Sequence, residues 1–253
     1  MSQETQRPVV IKISGHELDD LDALRTFAEA VRQLATPVVI VHGGGKEISA
    51  LQTAMGIEPR YADGIRVTDA ASLSIVEMVL CGTINKRLVR VLVEQGVLAV
   101  GLSGVDGRLI HAEKMPHPQV DMGFTGRVHA VNPALLHLLL SQRQVPVIAP
   151  ICFGVGNNFN VNADHVAGAI AAALPAERLI FLSNVPGVLK EDRLLAALSP
   201  REVDALIADG TIFGGMVPKV RTAIAALADG VNRVAITDLA GLSTHGGTVF
   251  SLG

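Results

Sequence analysis

Apolar positions along the chain follow two alternating periods. Short continuous runs at residues 9–13, 38–41, 97–102, 145–151, 179–182 and 234–236 each end in glycine or turn residues. Runs of this length predict strands buried on both faces. Between them the spacing becomes helical. Leu21, Leu24, Phe27, Ala28, Val31 and Leu34 make one stripe over residues 19–34. Further helices are predicted over 46–55, 70–95, 133–143, 163–174, 200–208 and 218–228. Strand and helix in alternation predict an α/β fold, a mostly parallel central sheet with helices on both faces.

Two stretches break the alternation. Asp106-Gly107 and a short strand pattern around 123–131 predict a hairpin over 108–131 that stands off the sheet. Residues 246–250 read as one last strand. Pro175 interrupts an alanine-rich helix and divides the chain into two lobes, 1–175 and 176–253.

Composition narrows the class. With 253 residues and 49% hydrophobic content the chain has an ample core. A fold of that size buries roughly 70–75% of its unfolded surface, so it needs neither a disulfide nor a structural metal. Its 24 acidic and 21 basic side chains give a net charge of −3. That balance offers no footprint for nucleic acid or an anionic membrane. Cys81 and Cys152 lie in apolar runs with no Cys or His at ligand spacing, and read as reduced core residues. The polar start Met1–Pro8 lacks an apolar signal core, and no run of about 18 apolar residues occurs. A cytoplasmic protein without membrane or nucleic-acid partners is expected.

In a parallel sheet, ligands bind beyond the carboxyl ends of the strands, so the residues after each run carry the candidate chemistry. The second run continues into His42-Gly43-Gly44-Gly45 and then a helix. Without Cβ atoms, backbone N–H groups can approach an anion, and the helix N-terminus adds its positive dipole end. His42 either bonds to a backbone group or acts in catalysis. Lys12 sits inside the first run, where a cation is costly unless an anion meets it; the alternative is a snorkelling edge lysine. Pro218 suits the first position of a helix, which places Lys219 in the first turn, unfavourably for a cation unless a ligand is present. In 157–164 the extended pattern puts Asn160 and Asn162 on one face, and Asp164 either caps the next helix or organises a site. Arg66 lies beside a turn and could grip a carboxylate with two parallel bonds; Thr68 or Asp69 would cap the helix that follows.

No P-loop, G-x-G-x-x-G, H-E-x-x-H or G-x-S-x-G element is present, which removes most support for a dehydrogenase or a serine hydrolase. Instead, an ordered series spans the chain: Lys12-Ile13-Ser14-Gly15, His42-Gly43-Gly44-Gly45, Gly64-Ile65-Arg66-Val67-Thr68, Gly123-Phe124-Thr125-Gly126-Arg127-Val128, Phe159-Asn160-Val161-Asn162-Ala163-Asp164, Ser183-Asn184-Val185-Pro186-Gly187 and Gly214-Gly215-Met216-Val217-Pro218-Lys219. This series resembles the amino acid kinase family. The resemblance implies a three-layer αβα sandwich, with an N-lobe (1–175) for an acyl amino acid and dimerisation and a C-lobe (176–253) for ATP. It implies transfer of the ATP γ-phosphoryl to the side-chain carboxylate of N-acetyl-L-glutamate, the second step of arginine biosynthesis. The alternatives are a sister kinase acting on carrier-protein-bound aminoadipate or glutamate, and a non-catalytic amino acid sensor.

Carried over by residue, the resemblance gives Lys12 and Lys219 to the transferring phosphoryl group and Asp164 to holding both lysines. Gly44, Gly45, Arg66, Asn160 and Asn162 would hold the acyl amino acid. Gly15, Gly43, Ser183, Asn184, Gly187, Gly214 and Gly215 would contact phosphate or nucleotide. Ser14, Asn184 and Pro218 depart from the family's usual residues. ATP with Mg²⁺ is implied, with no metal ligands of the protein's own. The short polar lead-in implies a homodimer without arginine feedback, built around the helix at 70–95.

Overall fold

Alternate residues of the first strand enter different apolar clusters: Val9, Ile11 and Ile13 join one, Val10 the other. Val38 and Ile40 oppose Val39 and Val41 in the same way, as Val147 opposes Ile148. Period-two alternation with both sets buried defines a sheet covered on both faces. The computed structural model describes residues 6–244 and 246–252; the start of the polar lead-in, residues 1–5, lies outside them.

In chain order the strands are β1 (Val9–Ile13), β2 (Val38–His42), β3 (Arg60–Ala62), β4 (Ile65–Val67), β5 (Ala99–Gly104), β6 (Ile110–Lys114), β7 (Thr125–Val131) and β8 (Val145–Phe153). They continue with β9 (Asn158–Val161), β10 (Arg178–Leu182), β11 (Leu189–Lys190), β12 (Arg193–Leu194), β13 (Ala197–Leu198), β14 (Val234–Thr237) and β15 (Thr248–Phe250). The helices are α1 (Gly15–Asp19), α2 (Leu21–Gln33), α3 (Gly45–Ala54), α4 (Ala70–Glu77), α5 (Asn85–Glu94), α6 (Ala134–Ser141), α7 (Ala163–Ala173), α8 (Pro200–Ala208), α9 (Met216–Ala228) and α10 (Leu239–Thr244).

Eleven strands form one sheet in the order β13-β15-β14-β10-β1-β2-β8-β6-β7-β9, with β5 also on β8. The run β14-β10-β1-β2-β8-β5 is parallel throughout, so its carboxyl ends share one edge. One apolar cluster packs α6, α7, α8 and α9 residues such as Leu136, Ile170, Val203 and Val220. The other packs Phe27, Ile75 and Leu88 from α2, α4 and α5. This is a mixed α/β fold with a large central sheet.

Local signals account for most boundaries. Asp20 starts α2 by accepting from the N–H groups of Asp22 and Ala23, which leaves Leu21 at the exposed head of the predicted stripe. Ser199 and Glu202 close a reciprocal capping box on α8, with Pro200 in its first turn. Four expectations are corrected. The hairpin of β6 and β7 joins the main sheet through a bridge from His111 to Phe153 and through β9. The predicted strand at 97–102 is shifted to β5, because the chain turns at Val97, whose carbonyl accepts from Ala99 N–H at 2.8 Å. The helix at 70–95 is interrupted by a π-helical segment, Met78–Ile84, between α4 and α5. Finally, α9 begins at Met216, so Pro218 is its third residue rather than its first. A proline fits there because the first four helical N–H groups have no intrahelical partner.

Cys81 and Cys152 are free thiols. Burial pushes the Cys81 thiol up to about 11 and Cys152 higher still, so neither is poised for reaction. Among the described residues no helix is long and apolar enough to cross a membrane.

Candidate active site at the carboxyl edge of the sheet

Lys12, on β1, reaches across the sheet edge to the first turn of α7, where its Nζ meets Asp164 Oδ1 at 2.8 Å. Both side chains are largely covered, 16% and 27% exposed. Asp164 does not cap α7. Asn162 does, its Oδ1 accepting from the Asp164 N–H at 2.8 Å, which leaves the Asp164 carboxylate for the lysine.

The glycine loop after β2 is held from below. His42 is fully buried, with Nδ1 3.0 Å from the Gly43 carbonyl and Nε2 3.2 Å from Asn85 Nδ2. Asn85 Nδ2 also donates to the Val147 carbonyl at 2.9 Å. An imidazole donating at Nδ1 and accepting at Nε2 is neutral, and burial, opposed by the Gly43 bond, pulls its pKa down to about 4. His42 is therefore a support for the loop. Gly44 lies against the π-helical segment: a Cβ there would stand 2.2 Å from Ile84 Cδ1 and 2.8 Å from Leu80 Cδ2. A side chain there would have to push the buried ends of Ile84 and Leu80 aside, so the close approach, more than any turn, favours glycine at this position.

A prediction follows for His42. Unfolded, it titrates near 6.5; folded, near 4. Its contribution to stability is complete above pH 6.5 and is lost as pH falls toward 4, because the unfolded chain takes up a proton that the fold excludes. Between pH 7 and 4.5 the loss should be ~2–3 kcal/mol. Urea midpoints for wild type and His42→Asn will check it: the wild type's advantage should shrink by that amount, and a constant gap would remove the buried neutral imidazole.

Arg66 is not on an open loop. It sits on β4 opposite Tyr61 of β3, 9% exposed, across a two-residue turn at Asp63-Gly64. Its guanidinium donates to Gln52 Oε1, to the Gly45 carbonyl at 3.0 Å, and to Ser49 Oγ and Tyr61 OH, each at 2.7 Å. All four partners are neutral, and among the described residues no carboxylate pairs with it. Burial lowers its pKa. Such a site carries a fixed positive charge without a counterion. Asn160 Nδ2 donates to Thr68 Oγ1 at 3.0 Å, and the Thr125 hydroxyl donates to the Arg66 carbonyl at 2.6 Å. Asp69, not Thr68, caps α4 by accepting from Ser72 N–H at 2.8 Å.

One cavity of about 310 Å³ gathers Lys12, Gly15, Gly43, Gly44, Gly45, Arg66, Asn160, Asn162 and Asp164. Among its described lining residues Asp164 is the single acidic side chain. A second cavity, of about 400 Å³, is bordered by Asn184, Gly187, Gly215 and Lys219. Ser183 and Gly214 lie outside its lining. Lys219 Nζ donates to Ser183 Oγ at 2.5 Å. The two sites adjoin, since β1 and β10 pair in parallel with Lys12 opposite Phe181, and Ser14 Oγ donates to the Leu182 carbonyl at 2.6 Å. At Gly187, φ is +146° and an added Cβ would lie 2.6 Å from Thr248 Oγ1, so glycine is required there too.

Of the residues that hold Arg66, the sequence pointed to Gly45 but not to Ser49, Gln52 or Tyr61. Gly45, Ser49 and Gln52 are spaced four and three apart on α3, one helical face, and that spacing was the available signal. Tyr61 is placed by the cross-strand register of the ribbon.

The chain belongs to the amino acid kinase family, whose model matches residues 7–238. Its relatives within that family include the acetylglutamate kinase of Roseiflexus castenholzii, 48% identical over 98% of this chain and 96% of the relative. The acetylglutamate kinase of Chloroflexus aurantiacus is 51% identical, covering 96% of each. Among solved structures, N-acetylglutamate synthase from Neisseria gonorrhoeae, complexed with coenzyme A and N-acetyl-glutamate, superposes with a TM-score of 0.82 at 27% identity over 97% of this chain and 59% of that one. The carbamate kinase of Giardia lamblia bound to AMP-PNP shares the fold, with a TM-score of 0.72 at 18% identity over 99% and 100%.

Proposed function

We propose that this chain transfers the γ-phosphoryl of ATP to the side-chain carboxylate of N-acetyl-L-glutamate, giving N-acetylglutamyl phosphate, as the relatives' name describes. The observation that carries the reading is the single cavity joining the Lys12–Asp164 pair to Arg66, a buried cation without a counterion. Two separated positive groups match a dicarboxylate. A free α-amino group would need an anion, and the cavity's one acidic side chain is already engaged by Lys12. An N-acylated substrate avoids that cost, and Asn160 supplies a neutral amide for a neutral acetamide.

A glutamate carboxyl titrates near 4.3, so the nucleophile is ionised at neutral pH and no general base is needed. What must be overcome is repulsion between two anions and the charge on a loose transferring group. Lys12, Lys219 and the N–H groups of the glycine loop supply fixed positive potential, and Asp164 keeps Lys12 oriented. Among the described residues no cluster of three or more His, Cys, Asp or Glu forms a cage for a metal. Mg²⁺ would enter on the phosphate oxygens of ATP, where it neutralises charge.

We further propose a three-layer sandwich of two lobes, 1–175 for the acyl amino acid and 176–253 for ATP. The lining of the first cavity falls wholly within residues 12–164 and that of the second within 184–219, which supports the division. A cytoplasmic setting accords with a biosynthetic kinase. Trapping the acyl phosphate with hydroxylamine tests the function: N-acetylglutamate should react, with free glutamate and N-acetylaminoadipate far slower. Failure of N-acetylglutamate in the presence of ATP and Mg²⁺ would refute it.

The assembly we propose is a homodimer without arginine feedback, formed about the helix at 70–95. Val93 on α5 and Leu98 beside β5 are exposed, and β5 pairs on one side alone among the described residues. Sedimentation should give twice the chain mass, and added arginine should leave the rate unchanged; a monomer or a hexamer would overturn it.

A further inference from the structure

Of the seven phenylalanines, Phe213 alone is exposed, at 75%. It stands at the rim of the 400 Å³ cavity, whose walls are Val185, Val188, Leu189, Ile212 and Met216. An exposed aromatic ring beside an apolar slot leaves two surfaces wet that a flat ligand could cover together. The loop carrying the ring is fixed on both sides. Ile212 N–H bonds to the Leu206 carbonyl at 2.8 Å, and Met216 N–H to the Phe213 carbonyl at 3.2 Å. Gly214, at φ +54°, turns the chain directly from Phe213 into α9. Lys219, six residues on, enters the same cavity from that helix. The cavity is thus cationic at the Lys219 end and apolar at the Phe213 end.

We propose that Phe213 stacks on the face of the nucleotide base and closes it against Val185, Leu189 and Met216, making it the residue that selects a nucleotide over a bare polyphosphate. The inference rests on the kinase reading above and extends it to the base. Stacking of a base on an aromatic ring is sequence-tolerant and substantial, because every base offers a π face. The ring contributes binding rather than transition-state stabilisation, since it lies at the end of the cavity remote from the reacting phosphate.

The chain contains no tryptophan, so Phe213→Trp installs a lone indole at the site. Its emission should be quenched saturably by ATP and by ADP and left unchanged by inorganic tripolyphosphate. Phe213→Ala should raise KM for ATP about tenfold, with the effect on KM rather than kcat. Phosphorylation of N-acetylglutamate by the wild type is measured alongside. If the wild type is active but the indole stays dark to ATP, or responds equally to tripolyphosphate, or KM for ATP does not move in Phe213→Ala, the stacking role is overturned while the kinase reading stands. An inactive wild type instead sinks the kinase reading itself.

Discussion

Replacing Lys219 with alanine is expected to lower kcat by about 10²–10³, with smaller changes in either KM, the usual cost of deleting one preorganised donor aimed at developing charge. The lysine stands in the first turns of α9, where the helix dipole opposes a cation, and it is held there by Ser183 Oγ at 2.5 Å. A cation kept in an unfavourable field strengthens any anion brought to it. Steady-state kinetics with saturating ATP and N-acetylglutamate will check it. Lys219→Arg should recover little, because a planar fork does not replace a compact point charge on the same stem. Unchanged turnover in the alanine variant would remove Lys219 from the reaction.

Each lysine proposed for the reaction has a defined support. Lys12 pairs with Asp164, at the head of α7, and Lys219 donates to Ser183, just past the end of β10. The adjacent ends of β1 and β10 bring these supports side by side through the bond from Ser14 to the Leu182 carbonyl. Serine after β1, a departure from the family's usual glycine, thus has a structural role. Its hydroxyl ties the end of β1, at the edge of the 310 Å³ cavity, to β10, the strand that leads to Asn184 at the border of the 400 Å³ cavity.

Most of the sheet was legible in the sequence because strands buried on both faces are apolar at nearly every position, and β1, β2, β8, β10 and β14 all leave that mark, with Lys12 the exception inside β1. The short ribbons were not. β3, β4, β11 and β12 contribute three residues or fewer each, too few to establish a period. The π-helical segment was also hidden. Residues 70–95 read as one helix, and the contact that Leu80 and Ile84 of the π-helical segment make with Gly44 is a tertiary one that the local period does not carry. In the site, Lys12 and the glycines were legible because each is out of place chemically, a cation in a core strand and three glycines in succession; Asp164 was legible only as an acid at a helix start, and the structure separates it from the cap by giving that role to Asn162. The partners of Arg66 were not, since serine, glutamine and tyrosine are unremarkable until a buried guanidinium is set among them.

Arg66→Ala is expected to raise KM for N-acetylglutamate by about 10²-fold, the range for losing a charge-assisted pair of hydrogen bonds, with kcat changed far less. The asymmetry follows from position. A carboxylate that takes no part in phosphoryl transfer is bound equally in ground and transition states, so its partner acts on KM. The arginine's present bonds do not stand in the way. Nη2 faces three acceptors with two hydrogens, and Ser49 and Tyr61, whose oxygens lie 3.1 Å apart, can rotate their hydroxyls to donate to an incoming carboxylate. Substrate would thus meet a cluster of donors that already exists. Arg66→Lys should remain impaired, because a compact ammonium lacks the planar fork that reaches Gln52, Gly45, Ser49 and Tyr61 together and offers a carboxylate two parallel bonds. Substrate titrations of both variants at saturating ATP decide the matter: a fall in kcat with KM unmoved would place Arg66 at the reacting carboxylate instead of the spectator one.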